Sequence, residues 1–100
     1  MNLKKNSNGS KLTITVSGRV DTSTAPELQE YVNSSLDGVS ELVFDFKDVN
    51  YVSSAGLRVL LSVHKKMMKA GGMKLINVND AVNDVFEVTG FDEILDYEKG

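Results

Sequence analysis

The feature that most constrains this chain is a double change of apolar period between residues 41 and 78. The run ELVFDF alternates, so that Leu42, Phe44 and Phe46 share one face while Val43 and Asp45 share the other. The segment SSAGLRVLLSVHKKMMKAGG then repeats at helical spacing, and MKLINV returns to an extended run. A period of two belongs to a strand whose side chains leave on opposite faces, and a period near 3.6 belongs to a helix. Strand, helix and strand in that order predict a crossover unit with parallel strands, and such crossovers are right-handed.

The same logic extends to both sides. KLTITVSG alternates strictly, with Leu12, Ile14 and Val16 on one face and Thr13, Thr15 and Ser17 on the other. Before it, NSNGS (Asn6 to Ser10) reads as a turn, because Asn and Gly tolerate left-handed backbone, and Asn2 to Lys5 reads as a short antiparallel edge strand. In DTSTAPELQEYVNSSL, Thr24 and Glu27 have capping-box spacing, Pro26 falls in the first turn, and Leu28, Tyr31, Val32 and Leu36 recur helically up to Gly38. In the central helix, Leu57, Leu60, Leu61, His64 and Met68 form a stripe broadened by Val59, Val63 and Met67, and Gly71 and Gly72 end it. Asp80 is placed to cap a third helix carrying Val82, Val85 and Phe86, closed by Gly90, and FDEILDY follows as a turn and a last short strand.

These elements predict an α/β fold with a mixed sheet of four to five strands. Central strands covered on both sides are apolar on both faces. Here two strands alternate, so the helices are expected mainly on one face of the sheet. One hundred residues are expected to make one domain, residues 1–100.

Composition narrows the function classes. A net charge of −3 argues against nucleic acid as the main ligand, which is held by clustered Lys and Arg. The chain has no cysteine and one histidine, so no thiolate metal site is expected and the donors for zinc are few. No phosphate-cradling loop, metal cluster or nucleophile–base pair is visible, so neither a cofactor nor an enzymatic activity is expected. No apolar run approaches a membrane span and the start MNLKKNSNGS carries no secretory pattern. The expected location is cytoplasmic, without membrane contact.

In sheets of this kind, function gathers in loops at the carboxyl ends of the parallel strands. Two loops qualify, SGRVDTST and NYVSSAG, and parallel pairing would bring Asp21 and Ser54 to the same end. Ser53 and Ser54 also begin the central helix, where unpaired N–H groups and the macrodipole favour negative charge. A hydroxyl at that place is ordinarily a cap, and a helix start also tolerates an added phosphate. Ala55 and Gly56 are small enough to let another protein approach the backbone.

DVNYVSSAGLRVLLSVHKKMMKAGGMKLINV resembles the central segment of STAS domains, in particular the stand-alone bacterial anti-sigma-factor antagonists. SGRVDTSTAPEL resembles the same family's motif before the first helix, and VFEVTGFDEIL its closing helix and turn. The resemblance implies a STAS fold and a role in partner switching. The unphosphorylated antagonist binds an anti-sigma factor that is also a serine kinase, phosphorylation releases it, and a metal-dependent serine phosphatase reverses the modification. The register two residues before Gly56 implies Ser54 as the phosphoacceptor and leaves Ser53 to capping, with secondary modification open. Asp21 matches the family's loop aspartate, with an expected part in orienting the Ser54 hydroxyl or engaging the kinase. Thr22, Ser23, Ser53, Ala55, Gly56 and Arg58 complete the expected partner-binding surface. Three positions depart from the family pattern: Ser53 and Arg19 stand where acidic residues are common, and Ala55 where a hydroxyl residue is common. His64 is expected to be a packed histidine. The alternative reading is a STAS subunit of a lipid or anion transport system, in which Ser54 caps a helix and is never modified.

Overall fold

The computed structural model describes residues 1–100. The elements run β1 (Asn2–Asn8), β2 (Lys11–Val20), α1 (Ala25–Asn33), β3 (Glu41–Val52), α2 (Ser54–Ala70), β4 (Gly72–Val78), α3 (Asp80–Thr89), a 3-10 turn (Phe91–Glu93) and β5 (Tyr97–Lys99). All five strands form one mixed sheet in the order β1-β2-β3-β4-β5. β1 and β2 are antiparallel, and β2 to β5 are parallel. Each crossover moves one strand further in the same direction. A common right-handed sense therefore puts all three helices on the same side.

Burial follows that geometry. Leu12 and Ile14 lie beside Leu42 and Phe44, which lie beside Met73 and Leu75. These residues join Leu28 and Val32 of α1, Leu60, Val63 and Met67 of α2, and Val82 and Phe86 of α3 in one buried cluster. Edge-to-face pairs stiffen it, Phe44 with Phe46 at 6.0 Å and Phe86 with Tyr97 at 5.0 Å between ring centres. The opposite face carries Thr13, Thr15, Asp45 and Lys74. Val43, though buried, lies on that second face and outside the core cluster. The alternation of β2 and β3 thus has its expected cause.

Element boundaries differ from the sequence reading in ways the ladder explains. β1 continues through Asn6, Ser7 and Asn8, which pair with Thr13, Leu12 and Lys11, so the turn contracts to Gly9 and Ser10. Cross-strand pairing outweighs the weak strand preference of Asn and Ser. β3 continues to Val52 through residues expected in a loop. It does so with two register shifts: Thr15 and Ser17 face Asp45 and Asp48, and Gly18 and Arg19 face Val49 and Tyr51. At each shift β3 has one residue more than β2, and the extra residue resets which face points inward. The buried positions become Phe46, Val49 and Val52, three apart instead of two.

The buried stripe of α2 is Gly56, Leu57, Val59, Leu60, Val63 and Met67. Met68, placed on the stripe by spacing alone, is 69% exposed, and Leu61 and His64 sit half-buried at its edge. The Nδ1 atom of His64 is buried and makes no hydrogen bond. α3 is capped by Asn79 instead of Asp80: its Oδ1 accepts from the Val82 N–H at 2.9 Å, while its Nδ2 donates to the Val49 carbonyl at 2.6 Å. The amide can donate and accept at once and ties the helix start to β3, whereas an ionised aspartate only accepts.

Candidate functional site

The carboxyl ends of β2 and β3 lie side by side, with Val20 paired to Val52. The Ser53 N–H donates to the Val20 carbonyl at 2.8 Å, so the two functional loops are stitched together by backbone. Each is shorter than the sequence reading expected. The first is Asp21 to Thr24, and the second is Ser53 alone.

Asp21 organises the first loop. Its Oδ1 accepts from the Ser23 hydroxyl at 2.7 Å, the Ser23 N–H at 3.0 Å and the Thr24 N–H at 3.1 Å. Thr24 occupies the N-cap position of α1 but makes no side-chain cap, and the expected capping box does not form. Its hydroxyl instead donates to the Arg19 carbonyl at 2.8 Å and accepts from the Asp21 N–H at 2.9 Å. Asp21 ties the start of α1 from upstream, taking the Ser23 and Thr24 N–H groups with its carboxylate and those of Thr24 and Ala25 with its carbonyl, while Pro26 has no N–H to offer a cap. The Ser23 hydroxyl above all, then the Thr24 and Ser23 N–H groups and Arg19, lower the Asp21 pKa from 3.8 to about 2, against a smaller opposing effect of desolvation. Asp21 is therefore a fixed anion near neutral pH. Its carboxylate bonds stay within this turn and with Arg19, and none reaches Ser54.

The two serines differ in what their hydroxyls do. Ser53 is the N-cap of α2, with extended backbone, and its Oγ accepts from the Gly56 N–H at 3.4 Å. Ser54 is the first helical residue and is exposed. No hydrogen bond within the chain engages its hydroxyl. Gly56 is buried, and a Cβ there would stand 2.8 Å from Val20 Cγ1 and 2.9 Å from the Val20 carbonyl oxygen. Glycine thus lets α2 sit down on the ends of β2 and β3, which sets the height of Ser54 above them.

Around this corner Thr22, Ser23 and Arg58 are exposed and Ala55 is half-buried. A groove of about 400 Å³ separates the α1 and α2 sides, lined by Thr22, Pro26 and Gln29 on one wall and Ala55, Arg58 and Ser62 on the other. The sequence reading missed Pro26, Gln29 and Ser62. Ser62 had a signal, lying four residues after Arg58 on the same face of α2. Pro26 and Gln29 share a face of α1 that no site residue singled out beforehand occupies. A second depression, of about 470 Å³, lies at the amino ends of β3 and β4 between Ser40, Gly71 and Asp96, at the far end of the sheet from the serines. No group of side chains has the composition of a metal site, and no helix is long and apolar enough to cross a membrane.

Comparison with known proteins adds a family, a relative and several solved structures. The STAS domain model matches residues 2–99. The anti-sigma-B factor antagonist of Bacillus subtilis is 30% identical over 97 residues, covering 96% of this chain and 89% of that protein. The crystal structure of an anti-sigma factor antagonist from Mycobacterium paratuberculosis superposes with a TM-score of 0.89 at 24% identity, over 99% of this chain and 86% of that one. The antagonist SpoIIAA in its unphosphorylated form superposes with a TM-score of 0.82 over 98% of this chain and 89% of that one. Its phosphorylated form from Bacillus gives 0.74 over 98% and 92%, both forms at 15% identity. At those identities the solved structures speak for the fold.

Proposed function

Since the chain belongs to the STAS domain family, we propose that it acts as an anti-sigma-factor antagonist whose partner is released by phosphorylation at Ser54. In this reading the unphosphorylated protein binds an anti-sigma serine kinase, a metal-dependent serine phosphatase restores it, and the chain itself catalyses nothing. It works in the cytoplasm and needs no cofactor. The observation that carries the reading is the division of labour at the start of α2. Ser53 is engaged as the cap, while the Ser54 hydroxyl is exposed and unbonded.

The physical consequence of modification follows from its place. Transfer of the γ-phosphoryl group of ATP to Ser54 Oγ, with loss of the hydroxyl proton and departure of ADP, adds about −1.5 to −2 charges at pH 7. At the first residue of a 17-residue helix that charge meets the positive end of the macrodipole, so the fold tolerates it. A partner fitted against Thr22, Ser23, Ala55 and Arg58 has to desolvate the dianion or be repelled by it. A tenfold loss of affinity needs only about 1.4 kcal/mol. Asp21 serves by holding the Ser23 turn in shape, and Gly56 by setting the height of the serine.

The test is incubation with the candidate anti-sigma kinase and ATP, followed by phosphate mapping by mass spectrometry. One phosphate is expected on Ser54 and none in Ser54→Ala. Label of equal strength in Ser54→Ala would overturn the assignment.

A further inference from the structure

Arg19 lies beside the proposed partner surface and is held there by two contacts. Its guanidinium stacks 4.4 Å from the centre of the Tyr51 ring. Its Nε lies 3.4 Å from Asp21 Oδ2, a long contact. Neither contact uses the terminal amino groups, and nothing else in the chain hydrogen-bonds to them. The side chain remains 60% exposed, and Tyr51 beneath it 40%. A cation stacked on an aromatic face loses orientational freedom, and the outer edge of a guanidinium presents two parallel donors matched to a carboxylate. Arginine on such a plate is arranged to receive an anion from outside.

The direction it faces narrows the choice of anion. Arg19 pairs with Tyr51, and the adjoining pair Val20 and Val52 is buried under the helices. Side chains alternate along a strand, so Arg19 and Tyr51 point to the uncovered side of the sheet. Ser54 opens α2, on the covered side. The guanidinium is thus turned away from a phosphate on this chain's own serine and toward whatever docks against the ends of β2 and β3. Asp21 adds selectivity. Its fixed negative charge repels an anion that approaches the turn, and leaves the outer edge of Arg19 as the favourable point of contact.

We propose that Arg19, braced on Tyr51, is a specificity-determining residue that receives a carboxylate of the partner protein. The inference rests on the partner-binding role proposed above and names a contact outside the set assigned to it. A partner presenting a basic group at that point is rejected by like charge, and one presenting aspartate or glutamate is accepted.

Titration calorimetry against the purified anti-sigma kinase, with wild type, Arg19→Lys, Arg19→Gln and Arg19→Glu at low and high salt, tests it. Arg19→Glu is expected to bind roughly tenfold more weakly or worse, below Arg19→Gln, because like charges then face each other. Arg19→Lys is expected between wild type and Arg19→Gln, because it keeps the charge and loses the fork. The advantage of wild type over Arg19→Gln is expected to shrink with salt. If Arg19 merely steadied the Asp21 turn, Arg19→Gln and Arg19→Glu would weaken alike and without salt dependence, which overturns the proposal. Circular dichroism melts, expected to coincide for all four proteins, guard against a folding effect. Failure of wild type to bind would overturn the role proposed above together with this contact. Wild-type binding matched by Arg19→Glu would overturn this contact alone.

Discussion

At the scale of single residues, the corner built by β2, β3 and α2 separates groups that hold the structure from groups left free. Ser53 satisfies an orphan helix donor, a bond typically worth about 1 kcal/mol, while Ser54 has no such duty. Asp21 belongs with the structural groups, and its titration gives a test. Its carboxyl ionises at about 2 in the fold against an ordinary 3.8. A depressed folded pKa contributes stability that is complete above the unfolded value and is lost as pH falls through the folded one. The stability of wild type relative to Asp21→Asn is therefore expected to be constant near neutral pH and to shrink as pH falls from about 4 toward about 2. Urea denaturation across that range reads it, and a difference independent of pH would show that the turn does not depend on the charge. Asp21, Ser53 and Ser54 were all visible as candidates in the sequence. Ser53 was also expected as the cap, and its bond to the Gly56 N–H agrees. What the sequence did not show is that the Asp21 carboxylate bonds within its own turn and with Arg19 and does not reach Ser54.

At the scale of elements, period located the three helices, but α1 ends at Asn33, short of the Leu36 that spacing had included, and packing set which side of α2 is buried. In α2, spacing alone admits Met67 and Met68 to the same broad stripe. Met67 is 1% exposed and Met68 69% exposed, because the helix lies on β3 and β4 through Leu60, Val63 and Met67. Met67→Ala is accordingly expected to cost about 2–5 kcal/mol, and Met68→Ala to stay within about 0.5 kcal/mol. Chemical denaturation of the two variants checks this, and equal losses would mean that the helix is rotated. The strands teach the complementary lesson. Strict alternation identified β2, but alternation stops in β3 after Phe46. The two extra residues there move the inward positions to Val49 and Val52, a pattern that imitates a loop when read without the partner strand. Arg19 and Tyr51 stayed unconnected in the sequence for the same reason.

At the scale of the whole molecule, one sheet has one covered face and one open face, and the same substitution should distinguish them. Val16 is fully buried beneath the helices, whereas Val43 is buried on the side that carries Thr13 and Lys74. Val16→Thr places a hydroxyl in the apolar core, with an expected loss of about 1–3 kcal/mol. Val43→Thr places it beside Thr13 and Lys74 on the open face, with a clearly smaller expected loss than Val16→Thr. Denaturation midpoints report both, and equal losses would contradict the one-sided arrangement. The sequence by itself determined the order of elements, the parallel crossovers and the wet face, because each depends on local periods of two and 3.6. It also marked the corner at which strand ends meet a helix start. Only the tertiary structure decided that the Asp21 carboxylate stays within its own turn, how far β3 extends and that Arg19 rests on Tyr51. The last two outcomes depend on register between strands distant in sequence, and one extra residue in a strand reverses every side chain after it.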